Sequence, residues 1–330
     1  MYESFFGLRE RPFDLAANPR FMHWTAQHQE ALSNVQYGLT SRKGLTLLLG
    51  DAGTGKTSVL TAAVEAMNGS AMLCGLNNPT LTRQEFLEAL ASKFGLSRKA
   101  AYSKTRMLAE IERKLSDARR AGCVTALVVD EAQSLPDELL EEIRLLVNLV
   151  VEGETLLPVI LAGQPELAER LNRDALRQIK QRVALRCSLA PLDLAQTGRY
   201  IARRIQVAGG KSFQVFTREA VGAIHAVSHG IPRLISVICD NALVSGFALG
   251  VRPVTRAIVE EVCRDFDLTK DVPVREVAPS AEDTSSMLAA ATPPSAAREA
   301  NDAAEPAAAV PSSPDRTLFR DISTRRFLRF

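Results

Sequence analysis

The run Gly50-Asp-Ala-Gly-Thr-Gly55-Lys56-Thr57 restricts this chain more than any other feature in it. It fills every fixed position of the pattern GxxxxGK[ST]. It follows Leu45–Leu49, an apolar run of strand length, and it opens Thr54–Met67, which reads as a helix. Strand, glycine loop and helix in that order make a phosphate-binding loop. The glycines let backbone N–H groups close around phosphate oxygens, and the helix points its positive end at them. In this reading Gly50, Asp51, Ala52, Gly53, Thr54, Gly55, Lys56, Thr57 and Ser58 hold a nucleotide. Lys56 neutralises the β and γ phosphates and Thr57 ligates Mg²⁺. The cofactors expected are therefore ATP and Mg²⁺.

The strand that should partner this loop is Val124–Val129, whose continuous apolar character suits a central parallel strand. It ends in Asp130-Glu131. An acid at the carboxyl end of a buried strand reaches Mg²⁺, and a second acid beside it can orient and deprotonate an attacking water. Asp130 is thus the expected second metal residue and Glu131 the expected base, a pairing that favours hydrolysis. Ala71–Leu76, Leu156–Ala162 and Val183–Leu189 complete a set of strands that alternate with helices. That alternation predicts an α/β fold with a parallel five-stranded sheet covered on both faces. Gln164 follows the fourth strand, at the end where ligands sit, and is expected to touch the γ phosphate or the water.

At Pro191 the pattern changes to helices only, over 193–208, 217–228, 232–249 and 255–266. The organisation expected is a strap and helix at 1–44 packing on the core, an α/β core at 45–191 and a helical lid at 192–268. A linker rich in Ala, Pro and Ser follows at 269–316, with a composition too poor in apolar bulk to offset chain entropy, so it is expected to be disordered. A short aromatic and arginine motif closes the chain at 317–330. That motif reads as a docking peptide or, as readily, as an idle tail, with an end that touches a membrane as a third option. In the lid, Gly230-Ile-Pro-Arg233 starts a helix with proline in its first turn. Arg233 there opposes the helix dipole, which suits an anionic partner.

Arg173, Arg177, Arg182 and Arg186 crowd the approach to the fifth strand. An arginine lent to a neighbouring subunit's γ phosphate stabilises transition-state charge. Arg182 is the first candidate for that role in trans, then Arg177 and Arg173, although each alone also fits a solvated basic face. Composition gives other classes little support. A net charge of +2 is too mild to argue for nucleic acid by itself. Five cysteines without a CxxC pair make neither a disulfide scaffold nor a zinc site. No apolar run approaches the length of a membrane span, and no secretory leader is expected from Met1-Tyr-Glu-Ser-Phe-Phe.

Taken together, these motifs resemble the AAA+ ATPases of the secretion-pathway protein A (ExeA) type, which includes pilus-biogenesis and exosortase-associated ATPases. The resemblance is carried by the phosphate loop, Val128-Val-Asp-Glu-Ala-Gln-Ser-Leu135, Ala162-Gly-Gln-Pro-Glu-Leu167, Leu176-Arg-Gln-Ile-Lys-Gln-Arg182, Gly230-Ile-Pro-Arg-Leu-Ile235 and the opening Met1–Leu15. It implies Walker A at Lys56 and Thr57, Walker B at Asp130 and Glu131, sensor 1 near Gln164 and sensor 2 at Arg233. It also implies an adenine pocket walled by Phe13, Pro19 and Phe21, and a homo-oligomer in which Arg182 acts across the interface. The implied role is to power or regulate assembly of a bacterial envelope secretion, pilus or exopolysaccharide machine, through a partner protein and from the cytoplasm, with peripheral contact at the inner membrane as an option. Relatives often continue into a membrane span and a peptidoglycan-binding domain, which are not expected here. The alternative is a DNA-associated ATPase of the transposition-target or loader type.

Overall fold

The computed structural model describes residues 1–15, 18–67, 71–76 and 81–267. The linker expected at 269–316 and the motif expected at 317–330 lie outside the described residues.

Five strands form one sheet: β1 (Leu45–Gly50), β2 (Ala71–Leu76), β3 (Val124–Val129), β4 (Val159–Gly163) and β5 (Val183–Leu189). Their order is β2-β3-β4-β1-β5, and every neighbouring pair is parallel. β1 therefore lies between β4 and β5, with all six of its residues buried. Side chains alternate across the sheet as the pleat requires. Leu45, Leu47, Leu49, Leu127, Val129, Val159 and Leu161 face one layer of helices: α3 (Arg83–Lys93), α4 (Lys104–Arg120) and α5 (Asp137–Val147). Leu48, Ala126, Val128, Ile160 and Ala162 face the other, built from α1 (Ala26–Thr40) and α2 (Lys56–Ala66). The capping box at the start of α3 forms as its sequence dictates, with Thr82 and Glu85 exchanging hydrogen bonds.

A second core belongs to four helices, α7 (Leu194–Val207), α8 (Arg218–Ser228), α9 (Pro232–Ala248) and α10 (Arg256–Asp265); α6 (Pro165–Leu171) precedes them in the α/β part. The capping box at Asp193 and Gln196 starts α7. Cys239 and Cys263 are buried in this core, where burial pushes both thiols up, so they act as small apolar groups.

Three expectations are corrected. The lead-in at 1–44 does not pack on the α/β core as a unit. Tyr2, Phe6, Leu8, Phe13 and Phe21 bury themselves among the four helices, while Ala31, Val35 and Leu39 of α1 pack on the sheet. Aromatic strap residues go where the apolar surface is, and the amphipathic helix takes the sheet face. The fourth strand starts at Val159, because Pro158 has no N–H to give a ladder. Helix α2 starts at Lys56 and not at Thr54, because Gly55 holds φ at +106°, outside helical space. The chain crosses between the two cores near residues 22–25 and again near 190–192. These crossings touch, since the Ala190 N–H donates to Gln27 Oε1 at 3.0 Å. No helix among the described residues is long and apolar enough to cross a membrane.

Candidate nucleotide site

The loop after β1 is shaped by its own hydrogen bonds. The Thr54 N–H and hydroxyl both donate to the Asp51 carbonyl, at 3.2 and 2.8 Å. Lys56 is only 4% exposed, and its Nζ donates to the carbonyls of Gly50 at 2.8 Å and Asp51 at 3.1 Å. Its ammonium is thus fixed beside the loop at the start of α2, where the N–H groups of the first turn are unpaired by the helix. Gly53 has φ +84°, and a Cβ there would lie 2.6 Å from the Cβ of Arg233. The Arg233 N–H donates to the Gly53 carbonyl at 3.3 Å. The helical part thus rests directly on the phosphate loop.

The predicted metal pair is assembled across the sheet. Thr57 Oγ1 donates to Asp130 Oδ2 at 2.8 Å, although 73 residues separate them. Asp130 Oδ1 accepts from the Glu131 N–H at 2.9 Å. Glu131 itself sits at φ +52°, a left-handed conformation that a glutamate adopts at a cost of about 1–3 kcal/mol. No group of three or more His, Cys, Asp or Glu among the described residues forms a metal cage. One hydroxyl and one carboxylate are the donors that fit Mg²⁺, which keeps waters and phosphate oxygens as its remaining ligands.

A cleft of about 370 Å³ opens over these residues. Residues 52–58 and Glu131 form one end, and Arg233 reaches in from the start of α9. Leu15, Phe21 and Tyr200 line the other end, with Arg204 and Ser236. Of the residues expected to wall an adenine pocket, Phe21 lines the cleft. Phe13 is turned into the helical core instead, 1% exposed and with the Arg204 guanidinium 5.9 Å from its ring centroid. The side chain of Pro19 lies outside the described residues. Gln164 caps α6 and does not line the cleft; its backbone N–H donates to Gln133 Oε1 at 3.1 Å. Arg182 is exposed at the start of β5, where its carbonyl accepts from the Leu45 N–H at 3.2 Å. That is the end of the sheet away from Gly50, so Arg182 does not approach its own chain's phosphate loop.

Three residues in this region escaped the sequence reading. His28 is buried against the loop, with Nε2 3.0 Å from the Thr54 carbonyl and Nδ1 2.6 Å from Thr25 Oγ1. A carbonyl only accepts, so Nε2 carries the proton and Nδ1 accepts from the threonine. Burial lowers the pKa of this imidazole, and its bond to Thr54 opposes that shift. Gln133 donates through Nε2 to Glu131 Oε2 at 2.7 Å. Its position two places after Asp130-Glu131 was the available signal. Arg204 is buried on the apolar face of α7 and binds the Pro12 carbonyl at 2.6 Å and the Asp14 carbonyl at 3.0 Å. No periodicity in the sequence marks an arginine on a buried face.

Residues 39–171 match the AAA domain family. Over 250 residues the chain is 39% identical to General secretion pathway protein A of Aeromonas hydrophila, covering 76% of this chain and 46% of that protein. It is 22% identical over 171 residues to an HTH-type transcriptional regulator of Methanocaldococcus jannaschii, covering 51% of this chain and 41% of that protein. The chain thus spans less than half the length of both relatives. In fold it is similar to the Aeropyrum pernix ORC2 protein, with a TM-score of 0.56 at 16% identity over 78% of this chain and 71% of that one. It is also similar to Drosophila ORC bound to DNA, with a TM-score of 0.58 at 20% identity over 78% and 64%. The AAA match and the likeness to General secretion pathway protein A show the family: the chain belongs to the AAA+ P-loop ATPases, and over its matched region it is of the secretion-pathway protein A type.

Proposed function

We propose that the chain binds ATP with Mg²⁺ in this cleft, hydrolyses it to ADP and phosphate, and uses the cycle to power or regulate assembly of a bacterial envelope machine for secretion, pilus formation or exopolysaccharide export. The catalytic half rests on one observation: the Thr57 and Asp130 oxygens stand 2.8 Å apart with Glu131 next to them on the cleft wall. The envelope half rests on the likeness to General secretion pathway protein A.

Lys56 meets the β and γ phosphates from its place beside the loop, and Thr57 and Asp130 would hold the metal. Mg²⁺, when bound, supplies charge that screens those phosphates. Glu131 takes a proton from the attacking water as that oxygen bonds to the γ phosphorus and the bridging P–O bond to ADP breaks. Arg233 brings positive charge from the lid (192–268) onto the core (45–191), so a γ phosphate favours the closed arrangement. Arg182, with Arg177 and Arg173 as alternatives, serves the neighbouring subunit of a homo-oligomer. The motif at 317–330 docks a partner protein at the end of the 269–316 linker, on the cytoplasmic side of the envelope.

The test is steady-state ATP hydrolysis across protein concentration, with and without duplex DNA, at low and physiological salt. Activity that rises cooperatively with concentration and ignores DNA supports this reading. Stimulation by DNA that disappears with salt replaces it with a DNA-associated ATPase. Lys56→Ala should abolish ATP binding, and Glu131→Gln should keep binding and stop hydrolysis. Normal turnover in Glu131→Gln would remove the catalytic assignment.

A further inference from the structure

We infer that Gln133 is the positioning residue for the Glu131 carboxylate and that it ties that carboxylate to the loop between β4 and α6; the inference rests on Glu131 being the base. Gln133 lies in the short 3-10 turn Ala132–Ser134 that follows β3. Both ends of its side-chain amide are used. Nε2 donates to Glu131 Oε2 at 2.7 Å, and Oε1 accepts from the Gln164 backbone N–H at 3.1 Å. The orientation of the amide is set by its partners, because a carboxylate only accepts and a backbone N–H only donates.

The surroundings leave this side chain little freedom. A Cβ on Gly163 would stand 2.9 Å from Gln133 Oε1 and 3.0 Å from Leu167 Cδ2, so the glycine is what lets the amide sit against β4. The Gln133 carbonyl accepts from the Arg170 guanidinium, which also donates to the Leu135 carbonyl at 2.8 Å and pairs with Asp137. Arg170 stands on α6, so the helix that begins at Gln164 holds both the backbone and the side chain of Gln133.

The consequence for Glu131 is geometric. Its backbone is fixed at φ +52° and its N–H is tied to Asp130. With Oε2 held by Gln133, the carboxylate cannot rotate freely, and Oε1 is left to take the proton of a water in the cleft. A base held in place before the reaction saves orientation at the barrier. The same amide makes the carboxylate follow the loop at 163–165. The polar residue after β4 thus acts on the site through its backbone N–H, by way of Gln133.

The test compares Gln133→Glu, which keeps the size and the acceptor but cannot donate to Glu131 when ionised, with Gln133→Leu, which removes both bonds. Single-turnover ATP hydrolysis and ATP affinity would be measured for each in full-length protein. The expected result is a fall in hydrolysis of about 10- to 100-fold with affinity within about twofold. Gln133→Glu serves if Gln133→Leu fails to fold. Wild-type hydrolysis in Gln133→Glu, or a loss of affinity equal to the loss of rate, would overturn the inference. If Glu131→Gln alone keeps full turnover, the base assignment has failed and the role of Gln133 fails with it. If Glu131→Gln is inactive and Gln133→Glu is not, only the positioning role is lost.

Discussion

The phosphate end of the cleft is made by residues 52–58 with Glu131, whereas the opposite wall gathers Leu15, Phe21, Tyr200, Arg204 and Ser236 from the strap, α7 and α9. The first is held by short-range bonds within one loop and by one contact between strand ends. The second is held by a buried cation. Arg204 is 9% exposed and has no carboxylate within ion-pair reach among the described residues. It donates to the Pro12 and Asp14 carbonyls, to Tyr200 and to Ser236, and lies 5.5 Å from the Phe21 ring centroid and 5.3 Å from that of Tyr200. Carbonyl dipoles and aromatic faces replace the missing anion. The lesson is that the phosphate-loop end is specified by a local motif, and the opposite wall by tertiary packing around a single side chain.

After Lys56→Ala and Glu131→Gln, the largest effect should come from a residue that belongs to neither end. Under the proposed role in trans, Arg182→Ala is expected to lower turnover by about 10³-fold while ATP affinity stays the same. Steady-state rates beside nucleotide titration check this, and unchanged turnover would move the role to Arg177 or Arg173. Next, Arg204→Met should destabilise the protein by about 2–4 kcal/mol, since two strap carbonyls lose their buried donor. Thermal melting reads that loss. The comparison sharpens if ATP affinity falls while pyrophosphate affinity holds; an equal fall for both would mean that the two ends are not independent.

The smallest effect concerns His28, which braces the loop from outside. Burial depresses its pKa below the ordinary 6.5. Above that value both folded and unfolded chains keep the imidazole neutral. Below it the unfolded chain takes up a proton that the folded chain resists, so stability falls as pH falls. Urea midpoints measured between about pH 7 and pH 5 should show this slope in the wild type and a shallower one in His28→Gln. Identical slopes would mean that His28 has no part in acid sensitivity.

The legible parts of this protein share one property: their signal is local. The phosphate loop, the apolar strand ending in Asp130-Glu131 and the capping boxes at Thr82 and Asp193 each occupy one short window. The parts that escaped depend on partners far away in sequence. Gln133 gains its meaning from Gly163 and Gln164, and Arg204 from Pro12 and Asp14. The resemblance implies Phe13 as a pocket wall beside Phe21, but neither a motif nor aromatic character says which way a ring points. The strap as a whole was placed on the wrong core for the same reason.

That misplaced strap has a mechanical consequence. Because Tyr2, Phe6, Leu8, Phe13 and Phe21 belong with the four helices while α1 belongs with the sheet, the two halves are joined by two lengths of backbone and not one, and the Gln27 side chain bridges them at Ala190. A body on a single tether can swivel about it in any direction. On two adjacent tethers it keeps essentially one axis, as a door does on a pair of pins. Two tethers therefore limit the directions in which the Arg233 N–H could leave the Gly53 carbonyl.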